Sequence, residues 1–443
     1  MLRPLCFQMA RQFFVRNFGC RATQADGAAL TADLCARGLG EAPNANAADV
    51  VVVNTCTVTA EADKDARQTI RRIHRENPEA EILVTGCYAQ RRPEELREIS
   101  GVKWVVGNSH KTLIGDVVAP KAQALVQLES GQLPYHGALV GDIYQQRELL
   151  SSPTLGAGQD RSRPNVKIQD GCNNRCSFCI IPSVRGYSRS ASPERVLGEI
   201  RGLEERYPEI VLTGINLGRW GRDLPDRPRF NQLLERILAE TKVRKLRISS
   251  VEPMDWTGDL LRLMAEEPRI CKHMHIPLQS GSDEVLKRMR RRYRSRHYAD
   301  RVERARVAMP TAAIGADVMV GFPGETDAEF EQTRAFIEQS PFTYLHVFTF
   351  SAREGTPAAQ MPDQVPLALK KERNRVLREL AEVKNLAFRR QLIGERLSAV
   401  TLTREAVALT DNFLHVSLDR ADVAAGQLVD VEVSDPQRAI LLH

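Results

Sequence analysis

The stretch Gly171-Cys172-Asn173-Asn174-Arg175-Cys176-Ser177-Phe178-Cys179 follows the strand-like run Asn165-Val166-Lys167-Ile168-Gln169 and carries three cysteines at C-x-x-x-C-x-x-C spacing. A strand that runs straight into such a stretch must deliver three thiols on one tight loop, so the fold has to hold a strand end open to a metal group. Three thiolates bind three irons of a cubane 4Fe-4S cluster and leave the fourth iron free. A free iron can chelate the amino and carboxylate groups of S-adenosylmethionine (SAM). One electron then cleaves the sulfonium to a 5'-deoxyadenosyl radical, which removes hydrogen from unactivated C–H bonds. Phe178 is placed to cover the adenine of that SAM. The main alternative is a zinc knuckle, which wants four ligands, usually in C-x-x-C pairs; no fourth Cys or His lies near this loop.

A chain of 443 residues exceeds one ordinary core, so two to three domains are expected. No run of eighteen apolar residues occurs, and Met1-Leu2-Arg3-Pro4-Leu5-Cys6 lacks an apolar core followed by a small-residue cleavage site. A soluble, cytoplasmic protein without membrane partners is expected. Nine cysteines, an odd number, fit a reducing compartment better than a disulfide framework. A net charge of +6 is a mild basic bias, and only the clustering of the cations bears on nucleic acid.

Residues 11–120 read as a small doubly wound α/β domain. Phe13 to Cys20 begins with a short strand, and Ala28 to Ala36 is a helix that Gly38 ends. The β-branched run Asp49 to Cys56 is a fully buried strand, followed by a helix from Thr59 to His74. Glu81 to Cys87 repeats the arrangement, before Pro93-Glu94-Glu95-Leu96 and the strand Lys103 to Val106. Cys20, Cys56 and Cys87 each fall just past the carboxyl end of a parallel strand, the edge at which open α/β sheets bind ligands. One such cysteine is usually packing; three at equivalent places point to a second cluster site with one open iron. Cys6, Cys35 and Cys271 have no such placement and read as ordinary thiols.

Residues 121–163 collect Gly, Pro, Ser and Gln, as in Ser151 to Gly158, and read as a linker with one strand around Leu139 to Ile143. Residues 164–390 resume the alternation: Ser192-Pro193-Glu194 starts a helix, and strands follow at Ile210 to Thr213, Leu246 to Ser249, His273 to Ile276, Ala316 to Val320 and Leu345 to Phe348. With the strand before the cysteines this makes a partial (β/α)6 barrel, whose active site lies at the carboxyl strand ends. Gly214, Asn216, Ser249, Glu252 and Gln279 sit at those ends and are expected to line the SAM pocket. The segment Gly321 to Thr326 could line it too, or be a tight turn before the next helix.

Lys287 to His297 packs cations around one tyrosine, and Arg288, Arg290, Arg291, Arg292 and Tyr293 are expected to meet the phosphates and bases of a large substrate. A solvated charge run is the bland reading, here and for Arg67, Arg71, Arg72 and Arg75 on a helix of the first domain. Residues 391–443 change to short β-rich pieces, Leu397 to Leu402, Phe413 to Leu418 and Gln427 to Val433, which suggest a small acidic β-barrel.

Over essentially its whole length the chain resembles the radical-SAM methylthiotransferases: a three-cysteine N-terminal domain, a radical-SAM core and a C-terminal TRAM domain. The matching blocks are Asn54-Thr55-Cys56-Thr57-Val58-Thr59 with Arg67-Gln68, Ile168 to Cys172, Ser183-Val184-Arg185-Gly186, Leu212 to Gly218, His275 to Ser282, Asp317 to Thr326 and Leu345 to Ser351. After Cys20 the chain has Arg21-Ala22-Thr23 where the family usually has Lys-Val-Asn. The resemblance implies two 4Fe-4S clusters, an auxiliary one on Cys20, Cys56 and Cys87 and a radical-SAM one on Cys172, Cys176 and Cys179, with two SAM consumed per turnover. It implies sulfur insertion and methylthiolation at C2 of N6-threonylcarbamoyladenosine at tRNA position 37, by a monomer that takes the anticodon stem-loop, an external electron donor and a sulfur source as partners. Relatives acting on N6-isopentenyladenosine, or on an aspartate of a small-subunit ribosomal protein, are the near alternatives. A two-cluster electron carrier and a non-catalytic RNA-binding module are the distant ones.

Overall fold

The computed structural model describes residues 11–120, 137–147, 149, 162–403, 406–420 and 422–442. Cys6, the N-terminal stretch before residue 11, Ser151 to Gly158 and most of the expected linker lie outside the described residues. The chain divides into two units, Met1–Gly158 with Ser183–Gly186, and Gln159–Pro182 with Tyr187–His443.

Unit 1 is built on strands β1 (Gln12–Asn17), β2 (Gly40–Glu41), β3 (Val50–Thr55), β4 (Glu81–Gly86), β5 (Val102–Gly107) and β6 (Ala138–Leu139). They form one parallel sheet in the order β2-β1-β3-β4-β5-β6. In such a doubly wound order the connections leave on opposite faces after β1 and β3, so a crevice opens between the carboxyl ends of these two strands. Val50, Val51, Val52 and Val53 are all fully buried, because a central parallel strand has apolar cover on both faces. The helix Ala60–Glu76 starts at Thr59, whose Oγ1 accepts from Ala62 N at 3.2 Å, and buries Ala66, Ile70 and Ile73 on one face. Its Arg67 is tied to Tyr88 Oη and Glu95.

The first helix spans Arg21–Ala36, seven residues earlier than its sequence suggests. Thr23, Asp26 and Gly27 are poor helix formers. Here they are buried, and Asp26 is neutralised by Lys111 Nζ at 2.9 Å and by Arg185 Nη2 at 3.2 Å. Tertiary pairing overrides local propensity.

Unit 2 begins with β7 (Asn165–Lys167), a two-stranded ribbon of β8 (Gln169–Asp170) with β9 (Arg189–Ser190), and the strands β10 (Glu209–Thr213), β11 (Lys245–Ile248), β12 (His273–His275), β13 (Ala313–Val320) and β14 (Tyr344–Thr349). The orders β11-β10-β7 and β12-β13-β14 are parallel throughout. Parallel bridges Leu246–Ile270 and Ser250–His275 link them. The result is an open barrel of six strands separated by helices. The segment Gly321 to Thr326 forms a turn: Gly321 and Gly324 have φ of +72° and +71°, Glu325 Oε1 accepts from Gly321 N at 2.9 Å, and Thr326 with Glu329 caps the helix Asp327–Gln339.

After the helix Leu367–Gln391, strands β15 (Arg396–Thr401), β16 (Val407–Thr410), β17 (His415–Leu418), β18 (Leu428–Val433) and β19 (Arg438–Leu441) close a barrel in the order β15-β16-β17-β19-β18. Ala399, Ala408, Leu414, Val416, Val431 and Val433 fill it. Arg247 of β11, fully buried, bonds Glu209 of β10 and donates to the carbonyls of Thr410 and Asp411 at the edge of this small barrel. Burial alone would raise the Glu209 carboxyl, but Arg247 and then Arg163 hold it down at about 2.

Candidate active site

In unit 1, two glycines bring the three cysteines to one crevice. Gly19 (φ +87°) precedes Cys20 and Gly86 (φ +99°) precedes Cys87, and both backbones turn hard against the end of β3. A Cβ on Gly86 would lie 2.4 Å from Thr55 O, and one on Gly19 would run into Cys56. Only glycine reaches these φ values while leaving that space empty. Cys20 sits at the start of the helix Arg21–Ala36, Cys56 follows β3, and Cys87 opens a short helix after β4. The Cys20 thiol is exposed, 3.5 Å from Thr23 Oγ1; Cys56 and Cys87 are buried. Burial, with the neighbouring Cys87 thiol, pushes Cys56 up to about 12. Asn108 Nδ2, at the end of β5, stands 3.6 Å from Cys87 Sγ. The buried cations Lys111 and Arg185 meet on Asp26.

In unit 2 the three-cysteine loop hangs on Gln169, which is fully buried. Its Nε2 donates to the carbonyls of Asp170 (2.9 Å) and Gly171 (2.8 Å) and to Ser188 Oγ, while its Oε1 accepts from Asn216 N at 2.7 Å. One amide thus joins the loop to the carboxyl end of β10. Lys167 Nζ holds Asp170 at 3.0 Å. Farther along, Ser177 N donates to Met289 O and Ser177 Oγ to Arg288 O. The sulfurs receive donors of their own: Asn174 N (3.4 Å) and Asn216 Nδ2 (3.7 Å) on Cys172, and Arg291 Nη1 (3.3 Å) on Cys176. Such donors stabilise thiolate character and tune a bound cluster. Burial raises the Cys172 thiol and pushes Cys179 up to about 12.

Phe178 packs against Val285, Met289, Phe322 and Phe350. Gly214 follows β10, where a Cβ would fit tightly, 3.0 Å from Gln169 Cβ. Asn216 Oδ1 and Ser249 Oγ, at the ends of β10 and β11, are buried with no hydrogen-bond partner among the described residues, which leaves them open to a polar ligand. Gln279, just beyond β12, is held at φ +68°. Glu252 lines a small cavity with Cys176, Arg219, Arg290, Arg291 and Arg292. Three thiols and two buried polar atoms fit an iron-sulfur cluster with SAM beside it. They do not make a closed four-ligand zinc site.

The basic run requires a correction. The Arg291 side chain is 5% exposed and ion-paired with Glu252. Tyr293 is 3% exposed, with its hydroxyl donating to the carbonyls of Leu278 and Pro277. Arg288 is paired in fork geometry with Glu329 at 2.8 Å. Arg291 and Tyr293 are thus turned inward, while Arg288, engaged by Glu329, keeps its side chain 31% exposed. Arg290 and Arg292 remain exposed. Sequence reading missed Gln169, Arg185 and Asn108 as supports, although the first two stand inside the quoted motif blocks. Cys271 is fully buried, its thiol 3.6 Å from Glu209 Oε2, and Cys35 is exposed.

Residues 166–337 match the model of the Radical SAM superfamily, and residues 12–107 that of Uncharacterized protein family UPF0004. The threonylcarbamoyladenosine tRNA methylthiotransferase MtaB of Bacillus subtilis is 41% identical, covering 87% of this chain and 85% of that one. Its namesake from Rickettsia prowazekii is 35% identical, covering 94% and 93%. The tRNA-2-methylthio-N(6)-dimethylallyladenosine synthase of Thermobifida fusca is 34% identical, covering 96% and 87%. Among solved structures, the radical S-adenosylmethionine methyltransferase TsrM of Kitasatospora setae, with cobalamin and a [4Fe-4S] cluster bound, aligns over 79% of this chain and 77% of that one. Its TM-score is 0.56 at 15% identity, a likeness of fold. Among the described residues no helix is long and apolar enough to cross a membrane.

Proposed function

We propose that this chain, which belongs to the radical-SAM methylthiotransferase family, methylthiolates C2 of N6-threonylcarbamoyladenosine in tRNA, at position 37 beside the anticodon. The observation that carries the reading is the pair of separate three-thiol sets, each at the carboxyl ends of parallel strands. Relatives named for the threonylcarbamoyl substrate at 35–41% identity favour that base. The dimethylallyl substrate is the second reading, on the strength of the 34% identical synthase.

Cys172, Cys176 and Cys179 would hold the SAM-binding cluster, and Cys20, Cys56 and Cys87 an auxiliary one. When bound, the first supplies hydrogen abstraction and the second presents sulfur for transfer to carbon. The protein's own groups do the rest. Gln169 sets the loop against β10. Asn216 and Ser249 offer the polar atoms that would bind and orient SAM. Arg291 keeps a fixed positive charge on Cys176. Gly19 and Gly86 hold the auxiliary thiols in one crevice. Exposed Arg290 and Arg292 would bind backbone phosphates, and the target base must leave its stack to react. The reaction calls for an external electron donor and a sulfur source, in the cytoplasm where tRNA is modified.

The test is mass spectrometry of nucleosides from tRNA incubated anaerobically with reconstituted protein, SAM, dithionite and sulfide. Substrate tRNAs bearing either modification are offered. Methylthio product on threonylcarbamoyladenosine alone is expected. Product only on the isopentenyl base would overturn the substrate, and 5'-deoxyadenosine without modified tRNA would point to a protein target.

A further inference from the structure

Three strands of the open barrel bring together a second set of metal-type ligands, separate from both cysteine sets. His275 ends β12, Asp317 lies within β13 and His346 within β14. The register pairs Asp317 directly with His346, and His275 with Gly315, two residues from Asp317 on β13. Strand alternation therefore turns all three side chains to one face. His275 Nε2 and His346 Nδ1 each stand 3.2 Å from Asp317 Oδ1, and the three ligand atoms lie within 4.8 Å of one another.

The surroundings favour a cation. Burial works against the Asp317 charge, yet hydrogen bonds and charge from the two imidazoles hold its carboxyl below the usual range, so the carboxylate is kept as an anion between the two rings. Ser250 Oγ, 2.5 Å from His275 Nδ1, fixes that ring by its other nitrogen, as partners of metal-bound histidines do. His275 Nε2 is left buried, without a hydrogen bond of proper geometry. His275 is 7% exposed, whereas the His346 side chain is 52% exposed. It faces a groove lined also by Tyr344, Phe348, Arg378, Asn385 and Arg389. Two histidines and one carboxylate on one side, with the other side open, are a ligand set for a divalent transition metal with exchangeable positions.

We propose that His275, Asp317 and His346 bind one divalent first-row transition metal ion, of the zinc or ferrous class. The open positions would take an oxygen ligand from the groove. The plain alternative is a hydrogen-bonded bridge in which Asp317 accepts from both rings and no metal binds.

Zinc is the probe, because the cluster cysteines are already filled by iron in the reconstituted protein. The full chain is dialysed anaerobically against micromolar Zn²⁺, and zinc and iron per chain are counted by mass spectrometry of the elements. One zinc per chain with undiminished iron is expected. His346→Ala, at an exposed position, should keep its iron and bind zinc at least about tenfold more weakly. Asp317→Asn should do the same, while His297→Ala, which removes an exposed histidine elsewhere, should bind as wild type does. Zinc absent from the wild type, equal in wild type and His346→Ala, or gained only as iron is lost would each overturn the proposal.

Discussion

Gly19 lies against Cys56 so closely that a Cβ on it would stand 2.7 Å from Cys56 Cβ and 2.9 Å from Cys56 Sγ. Its φ of +87° adds backbone strain to any replacement. Gly19→Ala is therefore expected to cost unit 1 its iron while the Cys172 loop stays loaded. Iron analysis should show the loss of one cluster's worth. SAM cleavage should persist while methylthiolation fails; an unchanged iron count would show that the crevice relaxes around the methyl group.

Arg291 donates to Cys176 Sγ and pairs with Glu252. Beside the proposed cluster ligand Cys176, its fixed charge would favour the reduced cluster. Arg291→Met should move the midpoint potential of that cluster to more negative values and slow SAM cleavage. EPR-monitored redox titration reads the shift directly, and a potential equal to wild type would reduce Arg291 to a packing role. Arg291→Lys should recover only part of the shift, because an ammonium cannot span both partners as a guanidinium does.

Arg290 and Arg292 are exposed members of the basic run, as are Lys287 and Arg296. As phosphate contacts, each should contribute about one unit to the slope of log affinity for tRNA against log salt. The double alanine variant should lose that slope with little change in iron content or thermal stability. Tyr293→Phe should behave in the opposite way, lowering stability through the lost bonds to the Leu278 and Pro277 carbonyls while sparing the slope.

That contrast marks what the sequence made legible. The strand ends of both units could be read because β-branched runs and cysteines share a register, and Cys20, Cys56 and Cys87 do follow β1, β3 and β4. The fate of Arg291 could not be read. Its partner Glu252 is 39 residues away, and nothing local separates a guanidinium that will be buried from one that will be solvated. The small barrel was visible in outline, but β16 and β19 are four residues each, too short for an alternation to stand out. The early start of the first helix was hidden for a related reason. Asp26 argues against a buried helix until Lys111 and Arg185 arrive from distant segments.

Glu209 is held at about 2 against an ordinary 4.5. Because the folded value lies below the unfolded one, its stabilisation is complete above pH 4.5 and is lost as pH falls toward 2. Glu209→Gln should flatten this acid limb, measured as urea midpoints across that range. Arg247→Met leaves the carboxylate with Arg163 alone and should cost about 3 kcal/mol at neutral pH.

The same Arg247 has a consequence for how the two barrels move. A guanidinium that grips the barrel sheet through Glu209 and the small barrel through the Thr410 and Asp411 carbonyls acts as a rivet, with Asn412 adding a bond to Thr311 O. A rivet removes swing. The small barrel is thereby kept at one constant offset from β10 and β11, so the two barrels of this unit move as one piece.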